Sequence, residues 1–344
     1  MIIEKRGKVV KGLGGLYETR VLENGTVERI VCRAKGNLKR DEEKVKIGDN
    51  VIITVDDETP DGIVISAIEP RRNSLIRPPM ANLDYLFIVL AVRKPTPVLT
   101  TVDKLISIAE HNGIEPVVIV TKCDLDWEYA KELEAIYSQA GIAAFVTSSY
   151  NKDGVAKLCN YIETFVCNGR TAAFAGASGV GKSTLMNALF PGLSLATSEI
   201  SKKIERGRHT TRHVEIFDIS EGECPGFLAD TPGFSLIDFE RFDFFELEDL
   251  ADSFREFRPY KGKCRYIDCA HVGEGVDECA IARAVKDAEI SESRLESYRE
   301  IYRTLYQKKE ILILMKPRPL WRDTRYNDNR KSKFENFDCK SLIC

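Results

Sequence analysis

The stretch that most constrains this chain is Gly-Ala-Ser-Gly-Val-Gly-Lys-Ser at positions 176–183. The apolar residues 171–175 before it predict a buried strand, and residues 184–190 after it predict a helix. At such a junction the glycines let backbone N–H groups surround phosphate oxygens, while the lysine reaches the outer phosphates and the serine hydroxyl binds magnesium. A glycine-rich turn with a chance Lys-Ser is the alternative, but every fixed position of the phosphate-loop pattern is filled.

A phosphate loop here predicts nucleotide contacts along the whole turn and at the start of the helix. Lys182 is also expected to act in catalysis by stabilising charge on the outer phosphates, and Ser183 is expected to bind Mg2+. The expected contact residues are Gly176, Ala177, Ser178, Gly179, Val180, Gly181, Lys182, Ser183 and Thr184.

Length and hydrophobicity restrict the class of protein. A chain of 344 residues predicts two or three domains. The longest apolar stretches are too short for a bilayer-crossing helix and the first residues lack a signal-peptide core, so we expect a cytoplasmic monomer with no membrane segment. The ten cysteines are scattered along the chain, so reduced thiols are expected rather than a disulfide framework.

The first 70 residues predict a small β-barrel. Short runs typical of strands alternate with turn dipeptides such as Asn24-Gly25 and Asp61-Gly62. Five strands and a local excess of basic residues favour an oligonucleotide-binding (OB-like) barrel, although small barrels serve many purposes and the charge can simply be a solvated face. Residues 71–82 contain consecutive prolines and predict an extended linker.

Residues 83–240 predict an α/β domain with a parallel, doubly wound sheet, because apolar runs alternate with helical patterns. Thr121-Lys122-Cys123-Asp124 ends one predicted strand and fits the guanine-reading motif of GTPases. The Asp124 carboxylate can accept hydrogen bonds from guanine N1–H and the 2-amino group, a donor pair that adenine lacks. Ser148 ends the next strand, where a backbone N–H usually contacts the guanine oxygen, but a serine-rich turn explains it equally well.

Two polar segments after the phosphate loop match the switch motifs of GTPases. Thr211, in Gly-Arg-His-Thr-Thr, is expected to bind Mg2+ and the γ-phosphate. The second segment contains Asp-Thr-Pro-Gly. Its Asp230 is expected to support the magnesium without binding it directly, and its Gly233 is expected to sense the γ-phosphate. In ordinary GTPases the base-reading motif follows these motifs, whereas here it precedes them, so the domain is predicted to be circularly permuted.

Residues 241–315 predict a mainly helical, zinc-binding domain. Three cysteines and one histidine fall within sixteen residues and suit a closed tetrahedral site for one Zn2+, against the alternative of free thiols near a histidine. The expected ligands are Cys264, Cys269, His271 and Cys279. Leu295, Tyr298, Tyr302 and Leu305 form an apolar stripe that predicts a packing surface, and residues 316–344 predict a flexible basic tail.

Together these motifs resemble the ribosome small subunit-dependent GTPase A family of bacteria, and the permuted order is the most specific part of the likeness. The resemblance covers nearly the whole chain. It implies a factor that binds the small ribosomal subunit and its rRNA late in maturation, hydrolyses GTP to GDP there and leaves. A nucleotide-gated RNA-binding module with incidental hydrolysis and a P-loop ATPase remain alternatives.

The position after Gly233 bears on how hydrolysis is controlled. Ras-type enzymes carry a water-orienting glutamine there, whereas this chain has Phe234, whose side chain cannot hydrogen-bond water. His209 is the nearest candidate for orienting the attacking water, against the equally weighted alternative that it packs or faces solvent. Slow intrinsic turnover is therefore expected.

Overall fold

The N-terminal region is a closed five-stranded barrel. The computed structural model describes residues 2–39, 44–56, 62–76, 78–148, 152–191, 214–219, 225–230 and 246–315. The barrel strands are β1 (Ile2–Leu13), β2 (Leu16–Glu23), β3 (Thr26–Ala34), β4 (Asn50–Asp56) and β5 (Ile63–Ile68). They pair in the order β1-β2-β3-β5-β4, and β4 closes back on β1. This confirms the predicted barrel.

The segment 71–82 is not the extended linker that its prolines suggested. Ser74–Leu75 (β6) and Met80–Ala81 (β7) pair as a short antiparallel hairpin. Leu75 and Met80 are buried in the same hydrophobic core as the barrel and one face of the neighbouring sheet. Arg71 donates to both carboxylate oxygens of the fully buried Asp49, at 2.7 and 2.8 Å. The segment therefore packs against the barrel, because burial of two apolar side chains outweighs the extended preference of proline.

The central region contains a six-stranded sheet. The strands are β8 (Tyr85–Ala91), β9 (Glu115–Thr121), β10 (Ala143–Val146), β11 (Thr171–Ala175), β12 (Glu215–Asp218) and β13 (Phe227–Asp230). Their order in the sheet is β10-β9-β8-β11-β13-β12. All neighbouring strands are parallel except β12 and β13, which are antiparallel. The helices are α1 (Leu99–His111), α2 (Trp127–Gln139), α3 (Lys152–Phe165) and α4 (Lys182–Leu189).

Alternate residues of the central strands face two helical layers. Leu86 and Ile88 of β8 belong to the core shared with α1 and α2, whereas Phe87 and Val89 belong to the core shared with α3 and α4. This two-sided burial explains why β8 reads as a continuous apolar run. The prediction of a doubly wound α/β domain is confirmed.

Strand β12 was not predicted, although residues 214–219 are apolar apart from Glu215 and Asp218. It lies at the edge of the central sheet, where β1 of the barrel pairs with it through Lys11 and Glu215. Barrel and central sheet consequently form one eleven-stranded sheet. The barrel covers an edge strand that would otherwise expose unpaired backbone groups.

The C-terminal region is mainly helical, as predicted. Three short 3-10 helices (Leu247–Asp249, Ala251–Ser253 and Arg255–Tyr260) precede α5 (Ala280–Lys286) and α6 (Glu292–Met315). Between α5 and α6 the helical path is interrupted, with Ala288 in a left-handed conformation at φ 57°. In the predicted stripe Leu295 and Tyr298 are buried, and Tyr302 and Leu305 pack against the same core. No helix among the described residues is both long enough and apolar enough to cross a membrane.

A buried ion cluster joins the C-terminal region to α1. Arg294 of α6 is 1% exposed; its Nη1 donates to Asp103 of α1 at 2.5 Å and its Nε to Glu256 at 2.6 Å. Its guanidinium also lies 4.5 Å from the ring centroid of Phe254. Burial disfavours the charged guanidinium, yet the two carboxylates raise the pKa of Arg294 overall. The residue therefore stays charged inside the junction.

We predict that Arg294→Met destabilises the protein by about 3–5 kcal/mol, because it leaves two buried carboxylates without their partner. Urea unfolding followed by circular dichroism measures the change. Lys261→Met is the matched control, since Lys261 pairs with Asp252 at 2.7 Å on the exposed surface and such pairs contribute little. Equal destabilisation by the two substitutions would contradict the prediction.

Candidate nucleotide site and metal centre

The residues after β11 form a loop with three glycines in conformations of positive φ. Gly176, Gly179 and Gly181 have φ values of 140°, 79° and 98°, which side-chain-bearing residues rarely adopt. A Cβ at Gly176 would lie 2.2 Å from the Val89 carbonyl oxygen of β8. Close strand-to-loop approach therefore requires glycine here, and the loop leads directly into the N-terminus of α4. Such a loop presents backbone N–H groups to phosphate.

Lys182 lies at the first position of α4 and reaches back over the loop. Its Nζ donates to the carbonyl oxygens of Gly176 and Ala177 at 2.7 and 2.8 Å. Burial lowers the pKa of Lys182, since few groups around it compensate for the lost water. The ammonium is thus held against the start of the loop, and Ser183 and Thr184 beside it are exposed.

The base-reading motif contacts the phosphate loop directly. The Thr121 hydroxyl lies 2.5 Å from the carbonyl oxygen of Val180 and 3.1 Å from that of Leu90. Lys122 Nζ donates to the carbonyl oxygen of Gly179 at 2.7 Å. Two strands and two helices separate the motifs in the sequence, yet side chains of the first are hydrogen-bonded to the backbone of the second.

Asp124 lies beyond this connection with an exposed side chain. It sits in the one-turn 3-10 helix Cys123–Leu125, and the buried Cys123 anchors that turn in the core. Asp126 caps α2 by accepting from the Tyr129 N–H at 3.1 Å and pairs with Arg93. The backbone N–H of Tyr129 and the guanidinium of Arg93 lower the pKa of Asp126. These contacts fix the turn that carries Asp124.

Ser148 follows β10 and is 8% exposed. The backbone carbonyl oxygen of the neighbouring Thr147 accepts from the Cys123 N–H at 3.3 Å, and the Thr147 backbone N–H donates to the Val120 carbonyl oxygen at 2.8 Å. Ser148 is therefore next to the base-reading turn.

Asp230 is the last residue of β13. His209, Thr211 and Gly233 lie outside the described residues, so their expected roles stay predictions.

The parallel sheet explains how a permuted chain assembles one site. Parallel strands end at the same edge, and ligands of open α/β sheets bind outside those carboxyl ends. Thr121 ends β9, Ser148 follows β10, Gly176 follows β11 and Asp230 ends β13. The order of the strands in the sheet, rather than their order in the chain, decides which residues meet.

The four expected zinc ligands converge in the C-terminal region. Their candidate ligand atoms all lie within 4.8 Å of one another. His271 Nδ1 is 3.6, 3.4 and 3.3 Å from the Sγ atoms of Cys264, Cys269 and Cys279. Zinc bonds of about 2.0 Å to nitrogen and about 2.3 Å to sulfur in a tetrahedron place such atoms about 3.5 Å apart. The donor set and its spacing therefore fit one structural zinc ion.

Surrounding groups hold this cluster in place. The Ala280 N–H donates to Cys264 Sγ at 3.3 Å, and the Ala282 N–H donates to Cys279 Sγ at 3.4 Å. Both bonds favour thiolates, which are the form that binds metal. The Glu274 carboxylate accepts from three backbone N–H groups of the ligand loop, those of residues 270, 272 and 273. Burial lowers the pKa of His271 and so favours the neutral imidazole that a metal requires.

Comparison with protein families agrees with this architecture. The family model described as RsgA GTPase matches residues 68–240, and the one described as RsgA N-terminal domain matches residues 6–64. The chain belongs to the RsgA family. A further model, described as 50S ribosome-binding GTPase, matches residues 171–316. That match begins at β11, so the base-reading motif lies outside it.

Individual relatives share most of the chain. A protein of Alkaliphilus metalliredigens named Small ribosomal subunit biogenesis GTPase RsgA is 38% identical over 294 residues, covering 85% of this chain and 95% of that protein. The crystal structure of YjeQ from Thermotoga maritima is 33% identical with a TM-score of 0.71, covering 88% of this chain and 99% of that one. YloQ, described as a circularly permuted GTPase, is 29% identical with a TM-score of 0.69. The predicted family and the permuted GTPase fold are confirmed.

Sequence reasoning missed the residues that join the motifs. The Thr121 hydroxyl binds the phosphate-loop backbone, which the motif pattern alone does not reveal. The contact of Arg93 with Asp126 was also missed, because Arg93 follows β8 and lies far from Asp126 in the chain. Only the parallel pairing of β8 with β9 brings these loops together.

We predict that Asp124→Asn weakens GTP binding and shifts preference toward xanthine nucleotides, because an amide cannot accept from both guanine donors. Competition by GTP, ATP and XTP against a fluorescent guanine nucleotide measures the change. Glu132→Gln, which neutralises an exposed carboxylate on α2 in the same way, is the matched control and should keep guanine selectivity. Equal competition by ATP and GTP against the unaltered protein would refute guanine selectivity.

We also predict about one zinc ion per chain, with Cys269→Ala lowering both the zinc content and the stability of the C-terminal region. Elemental analysis and thermal unfolding measure the two effects. Cys159→Ala is the control, because Cys159 lies on α3 outside the cluster. Unchanged unfolding after complete zinc removal would rule out a structural metal.

Proposed function

We propose that this protein is a GTPase that binds the small ribosomal subunit, assists its late maturation and hydrolyses GTP to GDP and phosphate when the subunit stimulates it. The observation that carries this proposal is the hydrogen-bonded junction of Thr121 and Lys122 with the phosphate loop. It combines guanine reading and phosphate binding in one site. The relatives' names supply the small subunit as the partner, and these relatives match over nearly their whole length.

The description of one family model refers instead to the 50S subunit. That model covers only residues 171–316, whereas the RsgA relatives also match the barrel and the base-reading part. The small subunit is therefore the better-supported partner. We assign GTP and Mg2+ to the edge of the sheet, with Ser183 and Thr211 on magnesium, Asp230 supporting the magnesium and Gly233 sensing the γ-phosphate. We assign one structural zinc to the C-terminal cluster.

The domain division follows the same scheme. The barrel (residues 1–70) and residues 71–82 precede the permuted GTPase domain (residues 83–240), and the zinc-binding domain (residues 241–315) and a basic tail (residues 316–344) follow it. The basic excess of residues 1–40 makes the barrel the principal rRNA-binding surface, because phosphate neutralisation by lysine and arginine dominates nonspecific affinity. The protein acts as a monomer in the cytoplasm.

Turnover is expected to be slow in the isolated protein and strongly stimulated by small subunits, because Phe234 cannot orient water. GTP hydrolysis is measured with purified small subunits present or omitted, and large subunits serve as the control for ribosomal RNA in general. Subunit binding should be tighter with a nonhydrolysable GTP analogue than with GDP. Fast turnover that subunits leave unchanged would overturn the proposal.

The same assay tests the role of His209. His209→Ala should lose stimulated turnover and retain GTP binding if the imidazole orients the attacking water. His111→Ala is the matched control, because His111 ends α1 at the opposite edge of the sheet. Intact stimulation in His209→Ala would remove the histidine's role and leave the GTPase assignment standing.

A further inference from the structure

Strand β1 pairs with β2 on one side, and on its other side it changes partner from β4 to β12. Residues 2–8 of β1 pair with β4 and close the barrel, whereas Lys11 pairs with Glu215 of β12. A register shift relative to β2 falls between Val9 and Lys11, and Val9 and Val10 are both fully buried. A β-bulge at this point turns the strand and re-aims the following side chain. Beyond the bulge, Lys11 pairs with Glu18 of the barrel strand β2 on one side and with Glu215 at the edge of the GTPase sheet on the other.

Lys11 makes a direct ion pair there. Its Nζ lies 2.9 Å from Glu215 Oε2, with side-chain exposures of 41% and 28%. A second contact holds the other end of β12, where Arg20 Nε lies 3.0 Å from Asp218 Oδ2 and the Arg20 side chain is 7% exposed. The barrel therefore forms an ion pair with each end of the four-residue strand β12. The Arg20 contact is buried and structural, whereas the Lys11 contact is at the end nearest the switch motifs.

The register of β12 with β13 places Glu215 directly opposite Asp230. Glu215 begins β12 four positions after Thr211, and Asp230 ends β13 immediately before Thr231. Both expected switch motifs are consequently attached to this one cross-strand pair. Lys11, Glu215 and Asp230 form a row across three neighbouring strands, β1, β12 and β13.

The Lys11–Glu215 contact joins opposite charges that face each other directly on neighbouring strands, an arrangement that favours this register. An ion pair this exposed contributes little to folding, so its value lies in holding the strand ends in register.

We propose that Lys11 and Glu215 are positioning residues for GTP hydrolysis, by which the barrel holds the ends of β12 and β13 that carry the switch motifs. The inference rests on the proposed GTPase activity and on the proposed magnesium role of Asp230. It makes the barrel part of the hydrolytic apparatus as well as an RNA-binding surface. Neither residue touches the nucleotide; both act through the strand ends.

The test compares kcat with nucleotide affinity in three variants. Lys11→Met should lower kcat by about ten-fold or more, since small displacements of reacting groups are costly, while affinity for a fluorescent GTP analogue stays unchanged. The charge swap Lys11→Glu with Glu215→Lys should restore most of the lost kcat. Lys5→Met is the matched control, because Lys5 lies on the same strand but pairs with Glu23 and Glu28 on the barrel strands β2 and β3, away from the GTPase sheet.

Each variant is measured alone and at saturating small subunits. Unchanged kcat in Lys11→Met would overturn the proposal, and so would an equal fall in Lys5→Met or a charge swap that restores nothing. A higher subunit requirement with unaltered kcat would also overturn it, because Lys11 would then be a subunit contact. If subunits fail to stimulate the unaltered protein, the proposed function fails, while the kcat values of the isolated variants still decide the positioning role.

Discussion

Parallel pairing of β8 with β9 and of β8 with β11 is the constraint on which the nucleotide site depends. These pairs align the carboxyl ends of strands that are far apart in the chain, so the loops after them meet at one edge. Gly176 makes this possible at close range, because its missing Cβ admits the Val89 carbonyl oxygen of β8. The hydrogen bond from Thr121 to the Val180 carbonyl oxygen then fastens the base-reading turn to the phosphate loop.

Circular permutation changes what the switch motifs are connected to, and leaves the site itself unaltered. In this chain the segment after Asp230 leads into the C-terminal region, and the segment before Glu215 comes from the phosphate loop. The C-terminal region is fixed to α1 through Arg294 and Asp103. Arg255 fixes it again by pairing with Glu110 of α1 and Glu115 of β9. A C-terminal region attached this firmly gives the second switch motif a fixed point at its far end.

Motifs with fixed spacing were predictable from sequence, and contacts between distant segments were not. Residues 176–183, residues 121–124 and the cluster of three cysteines and one histidine each combine residue types whose chemistry is specific, so the fold and the convergence of these residues followed from them. Strand β12 is only four residues long and was missed, because so short a segment has too few residues to establish a strand period. The hairpin in residues 71–82 was missed because the prolines indicated extended chain, whereas the burial of Leu75 and Met80 is a tertiary effect.

The two flanking domains hold the GTPase domain in physically different ways. Arg294 is buried between two carboxylates, so moving the C-terminal region away from α1 would expose uncompensated charge and is strongly disfavoured. The barrel is held by the buried Arg20–Asp218 pair and by the core that it shares with the central sheet. The Lys11–Glu215 contact is partly exposed, so it can change at little cost while the rest of that attachment stays in place. A partner that binds both domains therefore meets two firm attachments and one adjustable contact. Because the adjustable one lies at the strand ends beside the switch motifs, barrel docking is the step best placed to control hydrolysis.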